Sequence, residues 1–492
     1  MSHAKRLKVE FGDFQTPKSL AHDVCAVLRS LGISPDIVVE PTCGVGAFVC
    51  AAIQEFPSAR EVIGFEINEP YLNQFRESLP DLSGAEKVRL EVADFFSKNW
   101  LEEFSESSGS ILVLGNLPWV TNSALGIFGG SNLPEKSNFL KQAGFDAISG
   151  KSNFDISEWM LLDILLCLKG RSADIAMLVK TAVARKILAH AEKQKIPVQQ
   201  SSIYGIDAKK DFNAAVDACL LVIRLTDKPG ESMYDYTVYE KISSTHGKRV
   251  GHRRGLIVGD LEAFNSSAFL VGQCPQKWRS GVKHDASSIM ELSRTQDALK
   301  NGLGESVDIE PDYVFPLLKG SDVGSGKPWR EKFVLVTQRF VGEHTEPIRQ
   351  FSPKTWAYLE AHHEALDARG STIYKKNPRF SVFGVGEYAF RPWRIAICAL
   401  YKSIRFRLVG PIEGRPVMFD DTVYYLSFES EQEAKDTLEL LSSEPAMRLL
   451  SSLIFWDEKR PIKTSLLNVL DWSKIASVKQ SAPQIEMSLT TP

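Results

Sequence analysis

The sequence lacks several features that would assign it to other classes of protein. It contains no uninterrupted apolar run of the roughly 18 residues that a membrane-spanning helix needs. Its first residues, MSHAKRLKVEFGDF, hold no apolar core of a secretion signal. The seven cysteines are scattered, with no C-x-x-C pair and no histidine at metal-ligand spacing. These absences predict a reduced, cytoplasmic protein that binds neither a membrane nor a metal.

The chain also lacks a net positive charge. Its formal charge is -3 over 492 residues, so any binding of nucleic acid requires local basic surface. Basic clusters are confined to the second half, at residues 246–255, 374–380, 390–394 and 401–407. Each cluster alone is compatible with a solvated loop, but together, with interleaved aromatic residues, they favour a binding face. The first cluster supplies four candidate DNA ligands, Lys248, Arg249, Arg253 and Arg254.

Short apolar runs alternate with helical segments in the first half of the chain. Residues 36–56 read as strand, glycine-rich turn and helix, and further apolar runs follow at 61–68, 88–96 and 110–119. This alternation predicts a doubly wound, Rossmann-like α/β sheet whose ligands lie beyond the carboxyl ends of the strands. The pattern loosens near residue 245, which predicts a domain boundary there.

Acidic residues follow three successive predicted strands. Glu40 precedes a turn that contains Gly44 and Gly46. Because glycine has no Cβ atom, the backbone of this turn can approach a ligand closely. The third glycine of the dinucleotide fingerprint is missing, and a carboxylate at Glu40 would repel a pyrophosphate. Glu66 can accept hydrogen bonds from ribose hydroxyls, and Asp94 can accept one from an adenine amine. Each acid alone is also compatible with a helix N-cap, but together they indicate an adenosine-type ligand with positive charge and no phosphates.

These blocks resemble those of the S-adenosylmethionine-dependent N6-adenine DNA methyltransferases of restriction-modification systems. Their cofactor block, Asp/Glu-Pro-x-x-Gly-x-Gly, matches residues 40–46. Their catalytic block, Asn/Asp/Ser-Pro-Pro-aromatic, matches residues 116–119 except that Leu117 stands for the first proline. A Thr-Pro block at residues 11–17 resembles the segment that closes over the methionine moiety.

The resemblance implies S-adenosylmethionine as the cofactor. The residues that it predicts to bind this cofactor are Thr16, Pro17, Glu40, Pro41, Cys43, Gly44, Gly46, Glu66, Asp94 and Asn116.

The same resemblance implies how an adenine amine is made reactive. Asn116 accepts one N–H through its side chain, and the backbone carbonyl of Leu117 accepts the other. Pro118 completes the turn, Trp119 stacks on the base, and Phe212 lies on the far side of the flipped adenine. Because a leucine offers the same backbone carbonyl as a proline, activity is expected to survive the substitution.

The order of the blocks implies the layout of the chain. We expect a catalytic domain at 1–245, an α+β target-recognition domain at 246–480 and a flexible tail at 481–492. The predicted partners are double-stranded DNA and a separately encoded restriction endonuclease, and the predicted state is a monomer. The segment 121–159 either folds over DNA, with Lys136 and Lys151 on phosphates, or is a solvated insertion.

Two other functions remain open from the sequence. An RNA or protein-glutamine N-methyltransferase would use a similar turn, although such enzymes rarely carry so long a second half. A degenerate methyltransferase fold that only binds DNA is the non-enzymatic alternative, since Leu117 departs from the motif. Methylation of cytosine C5 needs a Pro-Cys nucleophile, and the sequence contains no Pro-Cys dipeptide.

Overall fold

The chain forms two compact units that divide between Ile257 and Val258. The computed structural model describes residues 15–119, 155–296 and 298–475. Each unit has its own sheets and its own buried apolar residues. In these described ranges, no helix is both long and apolar enough to cross a membrane.

The first unit is built on one mixed sheet of ten strands, counted over its described residues. The strands are β1 (Ile37–Glu40), β2 (Glu61–Glu66), β3 (Val88–Val92), β4 (Ile111–Asn116), β5 (Ala173–Lys180), β6 (Val198–Ile206), β7 (Ala218–Leu225), β8 (Tyr236–Tyr239), β9 (Gly247–Arg253) and β10 (Leu256–Val258).

The strand order is β10-β9-β8-β6-β7-β5-β4-β1-β2-β3. Strands β1 to β5 are mutually parallel, which confirms the predicted α/β class. Strand β7 instead runs antiparallel to both β5 and β6. The connection from β6 to β7 spans residues 207–217, just below the dozen or more residues that a parallel crossover needs. The apolar run of β7 gave no sign of its direction.

The helices of the first unit cover both faces of the sheet. They are α1 (Lys18–Ser30), α2 (Ala47–Glu55), α3 (Glu69–Ser78), α4 (Trp100–Glu106), α5 (Ile156–Cys167), α6 (Thr181–Lys193) and α7 (Ala208–Phe212). On one face, Val38 and Val62 of the sheet share a buried cluster with Val24 of α1 and Val49 of α2. On the other face, Phe65 meets the ring of Trp100 edge to face, with centroids 5.3 Å apart. Strands buried on both faces explain why the sequence reads as continuous apolar runs.

The second unit contains two smaller sheets within its described residues. The strands are β11 (Arg279–Ser280), β12 (Glu291–Thr295), β13 (Ala298–Asn301), β14 (Ser306–Val307), β15 (Val314–Leu318), β16 (Lys332–Leu335), β17 (Trp393–Cys398), β18 (Arg407–Val409), β19 (Met418–Phe419) and β20 (Val423–Phe428). One sheet has the order β11-β20-β17-β18 and the other β14-β13-β12-β16-β15-β19. Apart from the parallel pair β15–β19, the pairings are antiparallel.

Short helices accompany these sheets, as expected for an α+β unit. They are α8 (Leu261–Ser267), α9 (Ser287–Met290), α10 (Gly320–Ser325), α11 (Ile348–Phe351), α12 (Pro353–Ala361), α13 (His363–Asp367), α14 (Thr372–Lys375), α15 (Glu431–Leu441), α16 (Glu444–Leu453) and α17 (Thr464–Leu467). Phe333, Phe380 and Val382 lie in the buried cluster of the larger sheet, and Phe419 lies in that of the smaller one.

The basic segment 246–255 belongs to the sheet of the first unit. Strand β9 pairs antiparallel with β8, from Tyr236 opposite Val250 to Tyr239 opposite Gly247. The predicted boundary at 245 therefore falls between two hydrogen-bonded strands, and we place residues 246–257 with the first unit. The predicted tail at 481–492 lies outside the described residues.

Candidate active site

The predicted site residues converge on the carboxyl edge of the parallel strands. Glu40, Glu66 and Asn116 are the last residues of β1, β2 and β4. Strand β1 lies between β2 and β4, and all three run in the same direction. Asp94 lies two residues beyond β3, not at its last residue as predicted, because β3 ends at Val92.

The glycines of the cofactor turn adopt backbone conformations that other residues rarely take. The φ angles of Gly44 and Gly46 are +52° and +80°. A Cβ added at Gly46 would lie 2.3 Å from the ring of Phe75, on α3. Gly46 is also the N-cap of α2, so the turn leads directly into a helix N-terminus. The two glycines thus keep the chain in a left-handed conformation and leave room for Phe75.

Glu66 is held in place by the turn that it faces. Its Oε2 accepts a hydrogen bond from the backbone N–H of Gly44 at 2.8 Å, and its Oε1 accepts one from Asn68 at 2.8 Å. Two backbone donors fix the plane of the carboxylate. Each carboxylate oxygen can accept a further hydrogen bond, which suits a pair of ribose hydroxyls.

Glu40 is buried and caps a helix. Its Oε2 accepts a hydrogen bond from the backbone N–H of Val49 at 3.1 Å, in the first turn of α2. Burial raises the pKa of Glu40 well above its usual value, and the negative charge of Glu66 raises it further. A cationic ligand at this edge would offset both effects, because it favours the ionised carboxylate.

Asp94 organises the turn after β3. Its Oδ1 accepts a hydrogen bond from the backbone N–H of Phe96 at 3.0 Å, and its Oδ2 accepts one from the Ser97 hydroxyl at 3.0 Å. Asp94 is not a helix N-cap, which was the alternative for this acid, because residues 95–97 form a turn and the next helix, α4, has Asn99 as its N-cap. The predicted hydrogen bond to an adenine amine remains a prediction.

Pro41 and Cys43 continue the cofactor turn. Cys43 is buried, its backbone N–H donates to the carbonyl of Phe65 at 2.7 Å, and its sulfur lies close to Gly64 of β2. Burial, followed by the charges of Glu40 and Glu66, raises the pKa of the Cys43 thiol. Cys43 therefore packs the turn against β2.

The described end of the Thr-Pro block lies against both the catalytic turn and the cofactor turn. The Asn116 side-chain Nδ2 donates to the Thr16 hydroxyl oxygen at 3.3 Å. The Val45 backbone N–H donates to the Gln15 side-chain oxygen at 3.3 Å. Pro17 is the N-cap of α1. Gln15 was not predicted as a site residue, although it stands next to the predicted Thr16. Residues 11–14 of the block lie outside the described residues.

The catalytic turn is joined to the cofactor turn and to β5. The Thr42 hydroxyl donates to the backbone carbonyl of Asn116 at 3.2 Å. Asn116 pairs in register with Leu178 of β5, and the Trp119 indole N–H donates to the Leu178 carbonyl at 3.2 Å. Leu117 is buried and Pro118 is half-buried. Hydrogen bonds between side chains and backbone carbonyls therefore hold the turn on two sides.

The two predicted base-stacking residues are neighbours. Trp119 and Phe212, the last residue of α7, meet edge to face with ring centroids 4.9 Å apart. Both side chains are buried. A base inserted between parallel rings would need about 7 Å, twice the contact distance of carbon atoms. In this conformation a base can stack on one ring only if the other moves aside.

Lys180 and Asp155 also contact the catalytic turn, and sequence reasoning missed both. The Lys180 Nζ donates to the Trp119 carbonyl at 3.1 Å and to Asp155 Oδ2 at 2.6 Å. Asp155 is the N-cap of α5, where its Oδ1 accepts from the Ser157 backbone N–H at 3.1 Å. The available signal was a lysine that ends the apolar strand β5 at the same edge as Asn116.

The predicted DNA ligands are only partly described. Lys248 and Arg254 are exposed on β9 and the turn after it. Arg249 and Arg253 form ion pairs with Asp235, at 3.2 Å and 2.6 Å. Lys136 and Lys151 lie outside the described residues. Among the described residues, no group of three or more His, Cys, Asp or Glu side chains could hold a metal ion.

Comparison with known proteins assigns the family. No family model matches the chain. Among curated proteins, the chain is 48% identical over 478 residues to Type II methyltransferase M.NspV of Nostoc sp. (strain ATCC 29411 / PCC 7524). The match covers 97% of this chain and 99% of the relative. The chain belongs to the Type II methyltransferases.

This match confirms the predicted methyltransferase of a restriction-modification system and its cofactor, S-adenosylmethionine. The residues at the carboxyl edge fit that cofactor. Glu66 presents a carboxylate fixed by two backbone donors, and the buried carboxylate of Glu40 at the same edge favours a cationic ligand.

Solved structures with a similar course of the chain include two restriction-modification enzymes. The Type IIL enzyme MmeI in complex with DNA is 13% identical, with 97% of this chain and 79% of that chain covered and a TM-score of 0.48. The methyltransferase subunit of a type I system from Streptococcus thermophilus is 15% identical, with 48% and 49% covered and a TM-score of 0.34.

Proposed function

We propose that this Type II methyltransferase transfers a methyl group to the N6 amine of an adenine flipped out of duplex DNA at a specific sequence. The observation that carries the proposal is the junction of the two turns. Asn116 is bound through its carbonyl to Thr42 of the cofactor turn and through its side chain to Thr16. An acceptor for an amine therefore lies next to the residues that fit the cofactor.

The chemistry needs acceptors more than a base. An adenine amine is a weak nucleophile because its lone pair is delocalised into the ring. S-adenosylmethionine, when bound, supplies an electrophilic methyl group on a positively charged sulfur. Because Nδ2 of Asn116 donates to Thr16, its Oδ1 is oriented as an acceptor for one N–H of the amine. The backbone carbonyl of Leu117 accepts the other, and the two bonds localise the lone pair.

The substitution at Leu117 is compatible with this role. The carbonyl belongs to the main chain, so leucine supplies it as proline would. The buried Leu117 side chain and the two hydrogen bonds at Trp119 replace the restraint that a proline ring gives to the turn. These contacts favour an active enzyme over a degenerate fold.

We assign the reading of DNA sequence to the second unit and its basic segments at 374–380, 390–394 and 401–407. Lys375, Lys376 and Lys402 are exposed there. Arg394 is buried instead, and it donates to the Ala389 carbonyl at 2.6 Å. We therefore assign it a structural role and no contact with DNA. We further propose a monomer, with the cognate restriction endonuclease as a separate chain.

Methyl transfer to defined acceptors tests the proposed function. The protein is incubated with S-adenosylmethionine labelled in the methyl group and with duplex DNA, RNA or protein extract. Digestion of the DNA to nucleosides is expected to give labelled N6-methyldeoxyadenosine. Labelled N4-methyldeoxycytidine, or label in RNA or protein alone, would overturn the assignment to adenine in DNA. Absence of transfer to all acceptors would favour the degenerate fold.

A further inference from the structure

Lys180 connects the catalytic turn to the N-terminus of α5. It is the last residue of β5, at the same edge of the sheet as Asn116. Its ammonium group donates to the Trp119 carbonyl at 3.1 Å and to Asp155 at 2.6 Å. The side chain of Asp155 is only 8% exposed and that of Lys180 22% exposed, so the pair is largely shielded from water.

Trp119 is thereby held at both ends. Its indole N–H is bound to the carbonyl of Leu178, and its own carbonyl is bound to Lys180. Leu178 and Lys180 lie on the same strand, two residues apart, so β5 fixes both the ring and the main chain of Trp119. The turn between Asn116 and Trp119 is short, so its orientation depends on this second anchor.

The partner of Lys180 is itself fixed. Oδ1 of Asp155 accepts from the backbone N–H of Ser157 at 3.1 Å and from its hydroxyl at 2.5 Å, as the N-cap of α5. The other carboxylate oxygen is directed to Lys180. The ammonium group therefore cannot follow a displaced turn without breaking a buried ion pair, and such breakage is costly.

We propose that Lys180 is a positioning residue for methyl transfer, which acts through the Trp119 main chain and is itself oriented by Asp155. This inference rests on the proposed function, because it assigns Lys180 to the turn that binds the adenine. Lys180 does not contact the reacting atoms. It sets where the Leu117 carbonyl and the Asn116 amide meet the amine, and small displacements of such groups are sufficient to slow a reaction strongly.

The matched control is a second ion pair between neighbouring elements. Lys186 of α6 donates to Glu158 of α5 at 2.6 Å, and the Glu158 side chain is 5% exposed. Replacing Lys186 removes one positive charge and one ion pair, as replacing Lys180 does. Unlike Lys180, Lys186 makes its ion pair with Glu158 and not with the catalytic turn. The Lys186 side chain is 51% exposed and that of Lys180 is 22% exposed, so the melting temperature of each variant is used to separate a loss of stability from a loss of rate.

Single-turnover methylation of one duplex separates the two roles. Lys180→Met is expected to lower the methylation rate by roughly 10–100-fold, with cofactor affinity unchanged within about twofold. Lys186→Met is expected to keep the rate within about twofold. Lys180→Arg, which retains donors and charge, is expected to recover most of the rate, and Asp155→Asn, which can still cap α5, is expected to fall between. Melting temperatures are measured for every variant.

The outcomes distinguish this inference from the proposed function. If the wild-type protein makes no N6-methyladenine, the proposed function fails, and this inference, which rests on it, fails with it. If the wild type does so and folded Lys180→Met keeps the wild-type rate, Lys180 is not a positioning residue. Equal losses in Lys180→Met and Lys186→Met would show a merely structural role. Should Lys180→Met fail to fold, Asp155→Asn still decides, since a wild-type rate in that variant would overturn the proposal.

Discussion

Single side chains at the ends of strands carry the proposed chemistry. In the proposed site, Asn116 faces the adenine and Glu66 faces the cofactor, and a hydrogen bond orients each side chain. The two residues are 50 positions apart in the chain, yet β1 alone separates their strands. Their variants should therefore alter different steps of the same reaction.

Replacement of Asn116 by alanine should slow methyl transfer most. The change removes an acceptor that acts on the amine as its bonding changes, and one such preorganised hydrogen bond is typically worth about 10²–10³ in rate. Affinity for S-adenosylmethionine should remain within a few-fold, as calorimetry can measure. Leu117→Pro is the companion variant, with a rate within about tenfold because the carbonyl remains. Near-normal transfer by Asn116→Ala would remove this turn from the catalytic site.

Replacement of Glu66 should act on cofactor binding. Glu66→Ala should weaken affinity by about 1–3 kcal/mol if charge-assisted hydrogen bonds to the ribose are lost. The structure adds a second reason, since Glu66 also holds the backbone N–H groups of Gly44 and Asn68. Glu66→Gln keeps an oxygen for one of these groups and should weaken binding less. Titration calorimetry that found all three proteins equal would place the ribose elsewhere.

The positions of single residues at the sheet edge could be predicted from the sequence, whereas their roles stay predictions. Glu66 and Asn116 could be placed because a polar residue that ends an apolar run must emerge at the ligand edge of a parallel sheet. Lys180 ends such a run too, but a lysine there is equally typical of a solvated strand end. Its role depends on Asp155, 25 residues earlier, and no spacing rule links the two.

At the scale of elements, the turn before α2 combines strain and close packing at one glycine. Gly46→Ala should destabilise the first unit and weaken cofactor binding, because a Cβ meets Phe75 at 2.3 Å while φ is +80°. Gly32→Ala is the matched control, with φ at +73° and nothing within 4 Å. The melting temperature should fall further for Gly46→Ala than for Gly32→Ala, and the difference between the two falls measures the clash with Phe75. Phe75→Leu in the Gly46→Ala background should recover part of it. Equal losses in the two alanine variants would mean that backbone strain alone matters.

Strand β12 carries an ion cluster that makes the second unit sensitive to acid. Burial alone would raise the pKa of Glu291, but hydrogen bonds from His284 and Lys319 outweigh it and lower this pKa to about 2. A lowered pKa contributes stability above the unfolded value near 4.5, and this contribution is lost as the pH falls from there toward 2.

Glu291→Gln should therefore lower the melting temperature of the second unit at pH 7 and have progressively less effect toward pH 3. The full contribution corresponds to about 3 kcal/mol, as converted from the shift. Glu413→Gln is the control, because Glu413 pairs with Arg294 at a half-exposed site and surface pairs contribute little. A loss that did not depend on pH would show that Glu291 contributes through packing and not through its charge.

The sequence predicts that a strand exists more readily than it predicts the strand's direction or its pairing partner. The runs of β4, β5 and β7 are all continuous and apolar. Strands β4 and β5 are parallel to each other and β7 is antiparallel to β5, but nothing in the three runs shows this difference. The loosening pattern and the basic residues predict that the segment 246–255 belongs to the recognition domain. Its residue Val250 pairs with Tyr236 across β8 and β9, and this pairing places the segment in the first sheet.

At the scale of the whole molecule, the two units are proposed to divide chemistry from sequence recognition. The carboxyl-edge residues from Gln15 to Phe212 lie in the first unit, and three of the four basic segments lie in the second. Neither unit alone accounts for a site-specific methyltransferase. The second unit of a relative with a different target, joined after Ile257, should therefore change which sequence is methylated and leave the product N6-methyladenine unchanged.

Sequencing of modified bases in DNA from cells that express the chimera measures this outcome. The junction after Ile257 keeps β8, β9 and most of β10 in one sheet, whereas a junction after residue 245 separates β8 from β9. The second junction is the control, and it should give a less stable protein with weaker methylation. Binding of both active proteins to duplex DNA should weaken steeply with salt, because contacts to phosphates release counterions. If the chimera kept the original target sequence, recognition would belong to the first unit, and the exposed basic residues of β9, Lys248 among them, would become the first candidates for it.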